Sequence, residues 1–150
     1  MESPKSSASV QPKNSQYFNY NRPKAFNTGK AVVNLGRSDH LRGAVQVIKK
    51  GAGDNNLHIH TGMDGFYMVL KGEVTFYGPA NDVIGIFGAN QGLTMPHGNA
   101  YWFANTGEDD AEILQVVAWA PGIEDKRIDL DPPKGDVAPE KSDKFDARVR

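Results

Sequence analysis

The sequence contains no cysteine, and this absence restricts the chemistry that is open to the protein. Disulfide bonds, thiolate metal sites and cysteine nucleophiles are all excluded. Any metal ion would have to be held by histidine, carboxylate, tyrosine or water. Candidate catalytic groups are therefore restricted to the oxygen and nitrogen side chains.

An excess of basic charge and long apolar runs are missing as well. The 150 residues include 17 Lys and Arg against 18 Asp and Glu, a formal net charge of -1. Because no basic excess can neutralise a phosphate backbone or an anionic membrane, neither nucleic acid nor membrane is expected as a partner. No apolar run approaches the ~20 residues that span a bilayer, and the N-terminus lacks the apolar segment of a secretion signal. These absences predict a cytoplasmic protein.

Composition divides the chain into three parts. Residues 1–27 are rich in Ser, Pro and Asn, which predicts a flexible N-terminal arm, although the four aromatic side chains in its second half favour docking on a surface. Residues 122–150 are about half charged, which predicts a charged C-terminal tail that is solvated from residue 134 onward. Residues 28–121 remain as the folded domain.

This central part has the rhythm of an all-β domain. Short β-branched and aromatic runs are separated by Gly, Asn and Asp, and no stretch shows a 3.6-residue period. The runs are AVVNL, GAVQVIKK, NLHIH, FYMVLK, EVTFYG, DVIGIFG, GLTMP, AYWFAN and AEILQVVAW.

The run FYMVLK is apolar on both faces. Period-two alternation places Phe66, Met68 and Leu70 on one face and Tyr67 and Val69 on the other. Since a barrel strand has only one face toward the interior, the second face needs a cover. Either a second subunit or the folded-back arm would provide it, and we expect a homodimer.

The clearest chemical signal is a pair of histidines. His58 and His60 are separated by one residue on a predicted strand, so their imidazoles project from the same face about 7 Å apart. Such a pair can bind one metal ion, or it can be two hydrogen-bonded histidines that line a pocket. The surrounding sequence distinguishes between these interpretations.

The stretch around the histidines resembles the first motif of the cupin family. In that motif His-x-His is followed by a Glu and then, six residues later, by a Gly in a hairpin. Here Gly65 stands at the Glu position, and six residues separate it from Gly72. The second cupin motif is recognisable from Pro96 to Asn105, but Tyr101 replaces its histidine.

The resemblance implies a cupin-type jelly-roll β-barrel with a metal site built from three His and one Glu. This chain supplies His58 and His60. Tyr101 and Asp64 are the candidates for further ligands, although the alternation of the strand directs Asp64 away from the barrel. The implied cofactor is one mononuclear transition metal ion, namely iron, manganese, zinc or nickel.

Other residues are candidates for the same pocket. Tyr101 and His97 are candidate catalytic groups, with His97 placed in a loop at the predicted barrel mouth. Asn56, Asn99, Tyr67 and Phe103 are candidate substrate-binding residues.

Three functions stay open at this point, and all three involve a small molecule in the barrel. The first, which the resemblance favours, is a metal-dependent dioxygenase that acts on a small organic substrate. The second is a binding or regulatory cupin without metal. The third is a metal-independent isomerase or epimerase with His58 or His60 as base and Tyr101 as acid.

Overall fold

A computed structural model of the chain describes residues 4, 14–52, 55–131 and 142–149. Eleven strands lie within these ranges, together with a single 3-10 turn at Pro79–Asn81. The strands are β1 (Lys30–Arg37), β2 (Leu41–Ile48), β3 (His58–His60), β4 (Met63–Lys71), β5 (Val74–Tyr77), β6 (Val83–Phe87), β7 (Gly92–Met95), β8 (Trp102–Asn105), β9 (Ala111–Trp119), β10 (Arg127–Asp129) and β11 (Asp143–Asp146). Each of the nine predicted runs forms a strand, which confirms the all-β prediction. No helix among the described residues is long and apolar enough to span a lipid bilayer.

The strands form the two layers of a jelly-roll barrel. One layer is a six-stranded sheet in the order β11-β1-β2-β9-β4-β7. The other contains the sheet β6-β5-β8 and the pair β10-β3, which are joined by a bridge between His58 and Tyr101. This bridge brings the histidine strand next to the second motif.

Two apolar clusters stabilise the layers. The cluster between the sheets is centred on aromatic and branched side chains that face inward from both layers: Ile48, Tyr67, Val69, Val74, Phe76, Tyr101, Phe103 and Ile113. The second cluster covers the outer face of the six-stranded sheet through Ala31, Val33, Leu35, Val45 and Val47. Apolar side chains thus lie on both faces of this sheet, as the two-faced pattern of FYMVLK indicated.

The N-terminal arm covers part of the outer face. Tyr20 and Phe26 pack against the outer cluster, which also contacts Leu70 and Leu114. The Tyr20 hydroxyl donates a hydrogen bond to the Glu112 carboxylate. In the described part of the arm, residues 14–27, the aromatic side chains therefore serve to dock the segment on the sheet, whereas the rest of the arm, except residue 4, lies outside the described residues.

The prediction of a solvated tail is wrong for residues 142–149. β11 pairs in parallel with β1, and Phe145 packs against the outer cluster. The Asp143 carboxylate accepts hydrogen bonds from the backbone N–H groups of Asn27 and Thr28, each at 3.0 Å. Because charged residues flank Phe145, the sequence does not show the apolar pattern of a strand, and β11 is held by its backbone pairing with β1. Residues 132–141 of the predicted tail lie outside the described residues.

Candidate functional site

A cavity of about 300 Å³ lies inside the barrel. Side chains from both layers line it, and many of them carry nitrogen or oxygen groups: Lys30, Arg42, Gln46, Asn55, His58, His60, Tyr67, Tyr101, Gln115, Asp125 and Arg127. A barrel interior needs apolar side chains for stability, so this concentration of polar groups marks a candidate binding or catalytic site.

His58 is a neutral imidazole buried in the wall of this cavity. Its side chain is fully covered, and Nδ1 lies 2.7 Å from the Asn56 carbonyl oxygen. Because a carbonyl can only accept, Nδ1 carries the proton and Nε2 is left as an acceptor. Burial lowers the pKa of His58 to about 4, and the nearby charge of Arg127 acts in the same direction. His58 is therefore uncharged at neutral pH.

His60 forms a histidine–aspartate pair with Asp125. Its Nδ1 lies 3.1 Å from Asp125 Oδ2, and Oδ1 of the same carboxylate accepts a hydrogen bond from the Gly62 N–H at 3.0 Å. The carboxylate thus fixes the ring orientation and leaves Nε2 of His60 for other contacts. The ring centroids of His58 and His60 are 5.1 Å apart, so the two predicted histidines lie together.

Two tyrosines complete this part of the site. The hydroxyl groups of Tyr67 and Tyr101 are 2.7 Å apart, and Gln115 Nε2 donates to the Tyr67 hydroxyl at 3.1 Å. Burial raises the pKa of both phenols above the ordinary value. Both tyrosines therefore stay protonated at neutral pH, and the ring of Tyr101 lies 4.6 Å from that of His58.

The Tyr67 ring occupies the space that a glutamate at position 65 would need. A Cβ atom added to Gly65 would lie 2.7 Å from Tyr67 Cε2, which is far closer than carbon atoms pack. The residues lie two apart on β4 and share its inner face. The tyrosine pair therefore replaces the Glu and the third His of the cupin motif.

The donors in the cavity do not fit the metal site that the resemblance implies. A catalytic metal normally keeps about three protein ligands. Beside the two imidazoles lies the Tyr101 phenol, whose hydroxyl is engaged by Tyr67 at 2.7 Å, and the described residues contain no group of three His, Asp or Glu that could hold a metal ion.

Three sequence candidates lie outside the cavity. Asp64 alternates to the outer face of β4, where Oδ1 lies 2.9 Å from His97 Nδ1. Both side chains are more than half exposed. The Asn99 amide is exposed and donates to the Pro96 carbonyl at 3.0 Å. Asp64, His97 and Asn99 thus do not line the cavity that His58 and His60 line.

Asn56 and Phe103 are buried beside the site. Asn56 accepts a hydrogen bond from Arg127 Nη2 at 3.0 Å and donates to Asp129 at 2.8 Å, so it positions β10 and, through its carbonyl, His58. Phe103 lines the cavity with its ring, which the Lys30 ammonium approaches to 5.1 Å. Of the predicted substrate-binding residues, Tyr67 and Phe103 face the cavity.

Sequence reasoning missed several polar residues of the cavity. Arg42 and Gln46 lie four residues apart on β2, and Gln46 donates to Gln115 at 3.0 Å. Their alternation with the apolar outward-facing Val45 and Val47 was a usable signal. Asp125 and Arg127 had no such signal, because they lie in a charged segment remote in sequence from His60.

Solved structures similar to this chain share its fold. The cupin domain of Schizosaccharomyces pombe Cnp3 has a TM-score of 0.59 at 15% identity, covering 68% of this chain and 74% of that one. An oxalate oxidase in complex with the substrate analogue glycolate has a TM-score of 0.55 at 21% identity, covering 75% and 63%. Tomato vicilin has a TM-score of 0.50 at 22% identity, covering 60% of this chain and 25% of vicilin.

The chain and these solved structures have in common the fold of a single domain. The chain spans about a quarter of vicilin and less than two thirds of the oxalate oxidase. At sequence identities below 25%, the similarity shows a common fold and nothing about activity. None of the curated protein sequences matches the chain. The family model described as cupin domain matches residues 44–117, which contain both motifs. Together with the jelly-roll architecture, this match shows that the chain belongs to the cupin superfamily.

Proposed function

We propose that the chain is a metal-independent cupin enzyme that binds a small organic molecule in the barrel and moves a proton through His60. The observation that carries this proposal is the His60–Asp125 pair, with Nδ1 held at 3.1 Å and the ring lining the cavity. A carboxylate behind an imidazole fixes its tautomer and stabilises the imidazolium that forms when Nε2 takes a proton.

The reaction class follows from the groups beside His60. His58 is neutral, since burial lowers its pKa to about 4, so it supplies an acceptor and does not compete for the proton near neutral pH. The proton leaves a carbon next to a carbonyl group, passes to His60 Nε2 and returns to the substrate at a different carbon or face. The net change is an isomerisation or epimerisation, with no change in oxidation state of the substrate as a whole.

Tyr101 supplies the complementary hydrogen bond. Removal of a proton next to a carbonyl places negative charge on the carbonyl oxygen, and a fixed donor at that oxygen stabilises the transition state. The Tyr101 phenol is held by Tyr67 at 2.7 Å and stays protonated because burial raises its pKa. It can therefore donate to that oxygen without first acquiring a proton.

The size of the cavity favours a small substrate. Its volume of about 300 Å³ lies at the lower end of the range for ligand pockets. The oxalate oxidase of similar fold is bound to glycolate, a small hydroxy acid. Small keto acids and small aldoses and ketoses are accordingly the first compounds to test.

Deuterium exchange tests the role of His60. Full-length protein is incubated in D2O with single compounds from this panel, and incorporation at the carbon next to the carbonyl is followed by proton NMR. We expect exchange with at least one compound and a loss of about a hundredfold or more in His60→Gln, which is the lower range for a general base. Asp125→Asn should give an intermediate rate, because its amide can still contact Nδ1 but does not stabilise an imidazolium.

His40→Gln is the matched control, since His40 is exposed and lies outside the lining of the cavity. Its exchange rate should equal that of the unmodified protein. An unchanged rate in His60→Gln, or no exchange with any compound of the panel, would contradict the proposed function. Binding of a compound without exchange would favour a ligand-binding cupin instead.

A further inference from the structure

The inner face of β2 carries an arginine, Arg42, with a buried N–H group that has no acceptor among the described residues. Arg42 lies on this face with Gln46 and lines the same cavity as the two histidines. Its Nε atom is buried, and it has no hydrogen-bond partner among the described residues. A buried guanidinium N–H without an acceptor is unfavourable, so such an atom indicates a partner that is supplied from outside the protein.

The neighbouring charges do not compensate Arg42. Asp125 is the carboxylate that lines the cavity within the described ranges, and it is already engaged by His60 at 3.1 Å. Arg127, the other arginine of the lining, is paired with Asp129 at 3.0 Å. Burial lowers the pKa of Arg42, and the charge of Arg37 acts in the same direction.

Among the described residues, the lining of the cavity holds more basic than acidic side chains, with Arg42 and Arg127 against Asp125. A wall of this composition attracts anions, because a low-dielectric cleft with one sign of charge concentrates the opposite sign. A guanidinium matches the two oxygen atoms of a carboxylate or phosphate group with two parallel N–H bonds.

A second unsatisfied atom belongs to Gln46, which lies four residues further along β2 and lines the same cavity. Gln46 Oε1 is buried without a hydrogen-bond partner among the described residues, while its Nε2 atom donates to Gln115 at 3.0 Å. An acceptor in this position suits a hydroxyl group on the ligand. The cavity therefore offers a ligand one buried donor and one buried acceptor, both without a partner among the described residues.

We propose that the cavity binds a small oxyanion, a carboxylate or a phosphate group, through the guanidinium of Arg42. The inference rests on the proposed function in placing the ligand beside His60, but anion binding is measured without any reaction. It commits the substrate class to small organic acids or phosphate esters and assigns Arg42 as the residue that selects them.

Calorimetric titration of the full chain tests the proposal with three probes: sodium lactate, its neutral counterpart lactamide, and sodium phosphate. We expect lactate or phosphate to bind, and lactamide to bind at least tenfold more weakly than lactate if the carboxylate is the preferred group. Binding of phosphate alone would assign the site to phosphate esters. In Arg42→Met, which keeps the apolar stem, the affinity for the preferred anion should fall at least tenfold.

Two further measurements distinguish ligand binding from a structural role. Arg42→Met should melt at the same or a higher temperature than the unmodified protein, because it removes a buried donor without a partner, whereas a structural arginine would lower the melting temperature. Lys50→Gln removes an equal charge from an exposed site that contacts Glu108 and should bind the anion within twofold of normal. Equal binding of lactate and lactamide without binding of phosphate, binding of neither anion, or normal anion affinity in Arg42→Met would overturn the proposal.

The outcomes separate this inference from the proposed function. If the protein exchanges deuterium into neutral carbonyl compounds but binds no anion, the His60 mechanism is supported and the oxyanion site is contradicted. If the protein binds an anion, Arg42→Met loses this binding and no compound exchanges deuterium, the oxyanion site is supported and the proposed proton transfer is contradicted.

Discussion

Replacement of Gly65 by glutamate is expected to destabilise the folded protein by about 3 kcal/mol or more, although it restores the cupin residue at that position. The new Cβ would lie 2.7 Å from Tyr67 Cε2. The Tyr67 ring cannot turn away without loss, since it is 1% exposed and its hydroxyl is held by Tyr101 and Gln115. The added carboxylate would also be buried next to these groups.

Chemical denaturation followed by circular dichroism measures this effect. Gly43→Ala is the matched control, because a Cβ at Gly43 meets only Leu35 Cβ at an ordinary 3.8 Å, and its free energy of unfolding should change by less than about 0.5 kcal/mol. In a Tyr67→Leu background, Gly65→Glu should be tolerated much better, since contacting residues are not additive. Normal stability of Gly65→Glu in the unmodified background would show that the glutamate position is open.

Acidification from pH 7 to pH 4 is expected to lower the free energy of unfolding by about 3 kcal/mol more in the unmodified protein than in His58→Gln. The pKa of His58 falls from 6.5 to about 4 on folding, chiefly through burial. Between these values the unfolded chain binds the proton and the folded chain does not. Stability is therefore complete above pH 6.5 and is lost progressively as the pH falls toward 4.

Urea titrations at intervals of half a pH unit measure this dependence. The carboxylates Asp64 and Asp143, whose pKa values are lowered in the folded protein by groups other than His58, are present in both proteins, so their contributions cancel in the difference. Parallel curves for the two proteins would mean that His58 is solvated or already charged in the fold. A difference that grows only below pH 6.5 is the expected result.

The parts of the fold that follow a local pattern could be predicted from the sequence. Nine strands are marked by runs of β-branched and aromatic residues between turn residues. The resemblance to the two cupin motifs, one around His58 and His60 and the other from Pro96 to Asn105, indicated the barrel and the histidine side of its cavity. These features are encoded by residues that are close together in the sequence, so they can be recognised without a structure.

The parts that depend on remote pairing could not be predicted. β10 and β11 are short and charged, and each is held by backbone bonds to a strand far away in the chain. Asp125 reaches His60 only because β10 pairs with β3. Nothing in the composition of residues 122–150 distinguishes this aspartate from the other acidic residues around it.

The replacement of two cupin metal ligands by a tyrosine pair could be predicted only in part. The absence of Glu at position 65 and of His at position 101 is visible in the sequence. That Tyr67 turns over Gly65 and meets the Tyr101 hydroxyl at 2.7 Å is visible only in the structure. The substitutions indicated a loss of ligands, and the structure identifies what replaced them.

We expect the cavity to act through its imidazoles and phenols without a metal ion. The most direct test compares deuterium exchange in protein stripped with a chelator and in the same protein after addition of iron, manganese, zinc or nickel. The His60 mechanism predicts equal rates, within about twofold, before and after each addition. Exchange that disappears on stripping and returns with one of these ions would contradict it.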